Sequence, residues 1–362
     1  MKNLLTILIT FFFMMNVTLA TVRTVSNDPT GGAQYSTLSA AYTAAVNGDT
    51  LLLEGTNITY SITSASNVQI LWNKSLTVIG IGINPQKQNP RRTIINSYNS
   101  GAGPLTLQST GNGSKFYGIE FTSGSSDITC ASGASNYTFE DCRFNSGFTF
   151  SSISVSNFAF RNCVFDENNV VNLTLATNTT QIVSNILISN CVFDGSIAGG
   201  SNPYINVVID HCLFLSTTTT IFSNLQFAII TNNMFMNIFP GGTTNSTYVN
   251  NLCRVAGTFP PVGGGGNSGS GNIEATNPNL VTYTVGQLWA TTWDFHLQAG
   301  SAAIGTASDA TDIGVHGGNS NFSEQGEVLI NPIMRTVNIT NPTVSPNGTL
   351  NVLVNATKPD DN

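Results

Sequence analysis

Charged side chains are scarce in this chain. Lys and Arg number 12 and Asp and Glu 19 among 362 residues, so 9% of the chain is charged, against about a quarter in ordinary soluble domains. The formal net charge is −7 and no basic cluster stands out. Nucleic-acid binding depends on Lys and Arg contacts to phosphates, so we expect no nucleic-acid partner.

Long apolar runs are missing after the first twenty residues. Those twenty combine Lys2, an apolar core from Leu4 to Met15, and a small-residue ending at Ala20, which is the pattern of a cleavable signal peptide. No later run reaches the about 18 apolar residues that a membrane-spanning helix needs. The sequence therefore predicts a signal peptide over 1–20, no transmembrane segment, and an extracellular or cell-surface location.

A nine-residue phrase repeats at a nearly fixed period. Its copies are NYTFEDCRF at 136–144, NFAFRNCVF at 157–165, NILISNCVF at 185–193, NVVIDHCLF at 206–214 and the degenerate FAIITNNMF at 227–235. The cysteine column, Cys142, Cys163, Cys191 and Cys212, continues as Asn233, with spacings of 21, 28, 21 and 21 residues. Such a period indicates a solenoid. The 28-residue interval predicts one coil with an outward loop of about seven extra residues.

Three short β-rich runs in each repeat predict an all-β parallel β-helix of about ten coils. The recurring Phe and Cys should form inner columns, so we expect the column cysteines to be free buried thiols rather than disulfides. The state of Cys130 and Cys253 is left open. We place the β-helix at 21–320, with a cap helix at about 36–46 and a terminating segment at about 293–318. A hairpin-like β tail is predicted at 330–362.

The repeat phrase and both ends resemble those of secreted right-handed parallel β-helix proteins of the pectate-lyase-like superfamily, especially those of the Bacteroidota. Besides the phrase, the resemblance rests on TLSAAYTAAVNGDTLLL before the coils and on the closing DFHLQAGSAAIGTASDATDIG. It covers about residues 21–318. It implies a right-handed parallel β-helix with an N-terminal helical cap. Many members of the family act on acidic polysaccharides, while many others have no known reaction.

Two carboxylates break the repeat in the same way. Asp166 and Asp194 each follow the Phe of their phrase, so they should lie in adjacent coils, roughly 5 Å apart, with Glu167 beside them. One interpretation is a Ca²⁺ site formed by Asp166 and Asp194, or an acid–base pair. The other is a solvated pair at a turn. No cofactor is expected, apart from calcium under the first interpretation.

The three histidines and the pair Glu140 and Arg161 are interpreted as structural. His211 lies in VIDHC, which is similar to a pectate-lyase segment that is not the calcium site. His296 and His316 fall in the terminating segment. Glu140 and Arg161 hold equivalent positions in neighbouring coils, which predicts a surface ion pair worth well under about 1 kcal/mol.

The leading functional hypothesis is a secreted or cell-surface protein without catalysis. It would bind an extracellular polysaccharide or cell-surface glycan, or serve in adhesion or as a spacer. The reason is that the chain has no concentrated acidic, His or Arg site. The alternative is an enzyme, a polysaccharide lyase or glycoside hydrolase acting on a uronate-rich polysaccharide, with Asp166, Glu167 and Asp194 as its candidate residues.

Overall fold

The computed structural model describes most of the chain between residue 20 and residue 357. The described ranges are 20–56, 58–62, 71–83, 91–99, 103–122, 127–150, 154–166, 171–176, 180–200, 205–217, 220–262, 265–319, 322–324, 333–339 and 352–357. The predicted signal peptide and Glu167 lie outside these residues.

Three sheets run along the molecule, and all their strand pairs are parallel. They contain 11, 9 and 7 strands and are called sheets 1, 2 and 3. Successive coils add one strand to each sheet, so neighbours in a sheet are about one repeat apart in sequence. This is the arrangement of a parallel β-helix, and the prediction of an all-β fold of that class is confirmed. The right hand of the coil stays a prediction.

The strands of the three sheets are short. Sheet 1 contains Val22–Val25, Thr50–Leu53, Thr77–Ile79, Lys115–Tyr117, Ser135–Glu140, Ser154–Arg161, Ile182–Ser189, Ile205–Asp210, Ile229–Thr231, Thr247–Val249 and Ser268–Ser270. Sheet 2 contains Tyr60–Ser61, Ile94–Asn96, Glu120–Thr122, Arg143–Asn145, Val164–Phe165, Val192–Phe193, Leu213–Phe214, Met234–Phe235 and Leu252–Cys253. Sheet 3 contains Leu71–Trp72, Thr106–Leu107, Ile128–Cys130, Phe148–Thr149, Val171–Thr174, Ser196–Ala198 and Phe222–Ser223.

Smaller elements lie outside these sheets. They are the α-helix Leu38–Ala44, the 3₁₀ turn Ser109–Gly111 and three strand pairs, Tyr98–Asn99 with Gly103–Pro104, Leu225–Gln226 with Thr243–Thr244, and Ile333–Ile339 with Val352–Thr357. The last pair is antiparallel and forms the β tail that the sequence indicated. The helix begins after Thr37, whose hydroxyl accepts a hydrogen bond from the Ala40 amide, a usual N-cap contact.

Aromatic and cysteine columns fill the interior. Rings in the Phe column stack with centroids 4.5–5.4 Å apart and interplanar angles of 4–15°. The column contains Phe121, Phe144, Phe165, Phe193, Phe214 and Phe235. All six cysteines of the chain, Cys130 and Cys253 included, are buried, and none forms a disulfide. The prediction of free thiols in the column is therefore confirmed.

Two columns of mostly asparagine residues adopt the left-handed backbone conformation, one within the strands of sheet 1 and one at the corner between sheets 1 and 2. Each complete phrase begins with one (Asn136, Asn157, Asn185, Asn206) at φ of 54–58°. A second column precedes the cysteines, with Asp141, Asn162, Asn190, His211 and Asn232 at φ of 50–57°. Asn and Asp tolerate this conformation better than other residues with a Cβ. The phrase therefore codes one strand of sheet 1, a one-residue corner, and one strand of sheet 2.

The 28-residue interval between Cys163 and Cys191 contains two insertions rather than one. Eight positions separate Phe165 from Leu173, against four between their register partners Phe144 and Phe148. Eight separate Thr174 from Ile182, against five between their partners Thr149 and Ser154. The prediction of a single seven-residue loop was wrong, because the strand of sheet 3 keeps its register between a four-residue and a three-residue insertion.

The chain after the last coil packs along the outside of sheet 2. We call residues 280–319 the strap. Its buried apolar side chains, with Phe322 just beyond it, form a second cluster with the outward side chains of sheet 2; they are Leu280, Trp289, Phe295, Ala303, Ala307, Ile313 and Val315. In the sequence of the terminating segment, the alternation of Trp293, Phe295 and Leu297 predicts a strand that closes the far end of the helix. Phe295 lies instead in this lateral cluster.

The strap follows the second corner column back toward earlier coils. The Asn250 amide donates to the Thr306 carbonyl (2.7 Å) and the Asn232 amide to the Ser308 hydroxyl (3.0 Å). Further along, the Asn190 amide donates to the carbonyls of residues 315 and 317 at 2.9 and 2.8 Å. The corner asparagines thus both turn the coils and hold the strap. No helix within the described residues is long and apolar enough to cross a membrane.

Candidate functional site

A line of charged side chains crosses the outer face of sheet 2. Arg143 and Glu120 are register partners and each precedes an inward Phe, so the period-two alternation of a strand turns both outward. Asp166 and Asp194 each follow an inward Phe, and Phe165 and Phe193 pair in register, so the two carboxylates lie in adjacent coils. With Arg92 these four residues form what we call the charge ladder.

The charges of the ladder alternate in sign from Arg92 to Asp166, and Asp194 then follows with the same sign as Asp166. Arg92 Nη1 lies 2.5 Å from Glu120 Oε2, and Arg143 Nη1 lies 3.5 Å from Glu120 Oε1. Arg143 Nε donates to Asp166 Oδ2 at 3.0 Å, and its Nη2 contacts the same oxygen. The guanidinium carbon of Arg143 lies 4.8 Å from the centroid of the Trp289 ring. Arg143 thus pairs with two carboxylates and lies against the Trp289 ring of the strap.

Asp194 occupies the most buried end of the ladder. Its Oδ1 accepts a hydrogen bond from the Trp289 amide at 2.7 Å. Burial raises the pKa of Asp194 to about 7, although the Trp289 amide bond lowers it, and the charge of Asp166 raises it further. The other oxygen of Asp166, Oδ1, is buried without a hydrogen-bond partner. Asp194 therefore titrates near neutral pH, and burial also raises the pKa of Glu120.

The sequence placed two of these residues correctly and missed three. Asp166 and Asp194 lie in adjacent coils as expected, and Glu167 lies outside the described residues. The solvated interpretation of the pair does not hold, because Asp194 is 1% exposed and Asp166 9%. Arg92, Glu120 and Arg143 were missed. For Arg143 a signal existed, since later copies of the phrase carry Val192, Leu213 and Met234 at the same position.

The charge ladder has the composition of an acid–base site but not its accessibility. The side chains of Arg143, Glu120 and Asp166 are 15%, 4% and 8% exposed. A polysaccharide reaching them would first have to displace Trp289 of the strap. The arginines of the charge ladder neutralise carboxylates beneath the strap, where the outer face of sheet 2 changes from polar to apolar side chains.

The remaining candidates have structural surroundings. His211 stands at a corner in the left-handed conformation (φ 50°), and its Nε2 lies 3.2 Å from the Thr311 hydroxyl of the strap. Glu140 and Arg161 are register partners, as predicted. Among the described residues, however, they form no ion pair within 4.0 Å, so the predicted contact was wrong.

The Asp141 carboxyl should make the folded state less stable as the pH rises. Burial raises its pKa to about 8, the charge of Glu140 raises it further, and the Asn162 amide lowers it. A carboxyl whose pKa is raised on folding stabilises the fold fully below its unfolded pKa near 4. That contribution is lost as the pH rises through about 8. Asp141→Asn should remove the loss, because asparagine already fills this corner in other coils.

The measurement is urea unfolding of parent and variant near pH 4 and at mildly alkaline pH. We expect the Asp141→Asn protein to be more stable by roughly 1–3 kcal/mol on the alkaline side and about equal on the acidic side. Asp28→Asn is the matched control, because hydrogen bonds from Thr30 lower the pKa of that half-buried carboxyl, so it titrates below this range. Equal pH dependence of parent and Asp141→Asn would show that this carboxyl is solvated.

Three parallel sheets in register, an N-terminal helix and a lateral strap define a parallel β-helix protein. No protein-family model matches the chain, and no curated protein matches it in sequence. Among solved structures it is similar to a rhamnogalacturonan lyase, with 15% identity and a TM-score of 0.44 over 77% of this chain and 97% of that one. It is also similar to pectate lyase Pel9A, with 15% identity and a TM-score of 0.49 over 83% and 97%. Likeness at this distance concerns the fold alone.

Proposed function

We propose that the protein is a secreted, non-catalytic glycan-binding β-helix whose binding surface is the outer face of sheet 1. One observation carries the proposal: the carboxylates suited to catalysis are buried beneath the strap, whereas sheet 1 presents a regular row of exposed amides. That row contains Asn136, Asn157, Asn185 and Asn206. The signal peptide and extracellular location predicted from the sequence belong to this proposal and are independent of the fold.

The amide row suits sugar hydroxyls. Asn185 donates to Asn157 and Asn206 donates to Asn185, both at 2.9 Å, so the side chains are fixed one coil apart. Each amide group has two N–H bonds and two acceptor lone pairs. After the contacts along the row, each amide keeps hydrogen-bonding capacity directed at solvent. A row fixed in this way loses little side-chain entropy on binding.

An apolar stripe runs beside the amide row on the same face. Ala159, Leu187, Val208 and Ile229 are successive register partners and are half-buried or exposed. A polar row follows on its other side, with Arg161, Ser189, Asp210 and Thr231 in register. An apolar stripe between two hydrogen-bonding rows matches the mixed character of a sugar ring, which has apolar C–H faces and polar edges.

Glycan binding is tested by affinity electrophoresis on pectins, alginate, glycosaminoglycans and neutral plant glucans. We expect retardation on at least one polymer. Leu187→Glu should weaken it by at least about tenfold, equivalent to 1.4 kcal/mol, because it places a charge in the apolar stripe. Val262→Glu, at a site that is 85% exposed and outside the apolar stripe, is the matched control. Unchanged binding by Leu187→Glu would exclude this face.

The alternative function is a polysaccharide lyase or glycoside hydrolase working at Asp166 and Asp194. It is favoured by the pKa of Asp194, which burial raises to about 7, a value suited to proton transfer. Incubating the protein with the same polysaccharides tests this alternative. New unsaturated or reducing ends that the parent produces and the Asp194→Asn variant does not would establish the enzyme and overturn the non-catalytic proposal.

Calcium at the same carboxylates would require more oxygen ligands than these two residues give, since Ca²⁺ takes 6–8 in proteins. Arg143 already supplies a positive charge to Asp166. We therefore propose that calcium is not required. A calcium-dependent rise in melting temperature that disappears in the Asp166→Asn/Asp194→Asn variant would contradict this.

A further inference from the structure

Two of the three histidines lie face to face at the strap. The rings of His296 and His316 stack with centroids 3.7 Å apart and an interplanar angle of 20°. Each ring also meets a carboxylate. Nδ1 of His296 lies 2.7 Å from Asp294 Oδ1, and Nε2 of His316 lies 2.6 Å from Glu324 Oε1. Two imidazoles and two carboxylates thus share one small region of a chain in which only 9% of residues are charged.

We propose that His296, His316 and Glu324 bind a divalent transition-metal ion of the Zn²⁺ type. One ligand atom from each of the three lies within 4.8 Å of the other two. Ligand atoms around a tetrahedral zinc ion are roughly 3.3 Å apart, given zinc–nitrogen distances of about 2.05 Å. The ion would therefore draw the three donors together by at most about 1.5 Å, which side-chain rotation supplies.

The hydrogen bonds around the cluster prepare it for an ion. Because Asp294 accepts from Nδ1 of His296, Nε2 of that ring keeps its lone pair for the ion, and carboxylates commonly orient metal-binding histidines in this way. The Phe295 amide donates to Glu324 Oε1 at 3.0 Å.

The donor set selects the class of metal. Imidazole and carboxylate groups suit Zn²⁺, Cu²⁺ and Ni²⁺, whereas Ca²⁺ and Mg²⁺ require mainly oxygen ligands in greater number. Three protein ligands leave a fourth position for water. The side chains of His296 and Asp294 are 47% and 43% exposed, so an ion reaches the cluster from solvent.

A bound ion would join two parts of the chain that meet here. His296 lies within the strap, His316 lies near its end, and Glu324 lies just beyond it. The ion would therefore fix the strap over the charge ladder, and it would raise the melting temperature in proportion to the logarithm of its concentration above Kd. This role is independent of glycan binding.

Isothermal titration calorimetry of the full chain with ZnCl₂ tests the proposal, with CaCl₂ as the metal control. We expect one saturable Zn²⁺ site per chain and no heat with Ca²⁺ beyond dilution. Asp294→Asn should weaken Zn²⁺ binding by about 10–100-fold, as outer-shell changes do, and His296→Ala should weaken it further. His211→Asn is the matched control, because it removes the remaining histidine at a corner where neighbouring coils carry asparagine.

Two outcomes would overturn the proposal. One is the absence of saturable binding at millimolar ZnCl₂. The other is parental affinity in both His296→Ala and His316→Ala. Circular dichroism confirms folding of each variant, and if His316→Ala does not fold, His296→Gln at the more exposed ring decides the matter. The six thiols are all buried, so they do not compete for the ion in the folded chain.

Discussion

Replacing Phe165 with alanine should lower the free energy of unfolding by about 3–5 kcal/mol, the range for a buried Phe truncated to Ala. The ring is fully buried and stacks on Phe144 at 4.7 Å and on Phe193 at 4.5 Å. It also meets Phe160 edge-on at 5.6 Å. The backbone around it is fixed by parallel pairing on both sides, so the cavity cannot collapse, and the full loss of contacts is felt.

Urea unfolding followed by circular dichroism measures this loss. Phe227→Ala is the matched control, because Phe227 stands at a corner with 47% of its surface exposed and should lose little when truncated. If the free energies of unfolding of the Phe165→Ala protein and the parent differ by only a few tenths of a kcal/mol, the inward Phe column does not stabilise the coils.

Replacing Arg143 with alanine should cost a similar amount, about 3–5 kcal/mol, which is typical when one partner of a buried ion pair is removed. Asp166 would lose its hydrogen bonds from Arg143 while remaining buried, and its Oδ1 already lacks a partner. Glu120 would keep only Arg92 among its two cations. The Trp289 ring would also lose the guanidinium on which it lies.

The double variant Arg143→Met/Asp166→Asn separates charge from packing. Removing both charges leaves no uncompensated carboxylate at Asp166, and buried ion pairs replaced by neutral groups of similar size often cost little. We therefore expect this variant to recover most of the stability that Arg143→Ala loses in urea unfolding. If the double variant is as weak as the single one, Arg143 acts through its contact with Trp289 rather than through its charge.

The charge ladder contains carboxylates of the kind used in catalysis, but the strap covers them in the structure. In a chain with few charged residues, each buried carboxylate needs a structural or functional explanation. In sheet 2 part of the explanation is the strap, because Trp289 contacts Asp194 through its amide and Arg143 through its ring. The exposed polar rows of sheet 1, by contrast, have their amides directed at solvent.

The fold was readable because the repeat phrase encodes it locally. Phe at an inward position, Asn at a left-handed corner and Cys beside it recur at a fixed period, and each has a physical reason that does not depend on distant residues. The position of the inserted residues was less readable. Seven extra residues fit one loop or two equally well by count, and only the register of Leu173 against Phe148 separates them.

The candidate site could be predicted from the sequence only for residues that belong to the repeat. Asp166 and Asp194 follow the phrase, so their adjacency follows from the period. Glu120 and Arg92 precede the complete copies of the phrase, and nothing in their spacing relates them to Asp166. The cluster of His296, His316 and Glu324 depends on how the chain after the last coil folds back, and that segment has no repeat to align it.

The sequence by itself determined the β-helix, its inner Phe and Cys columns and the free thiols of the Cys column, because these follow from contacts between equivalent positions one period apart. Only the tertiary structure decided that the strap lies along sheet 2, that it buries the charge ladder, and that two histidines meet two carboxylates. Those contacts join residues separated by as many as 127 positions. They depend on the path of a non-repeating segment over a surface that the repeats have already built.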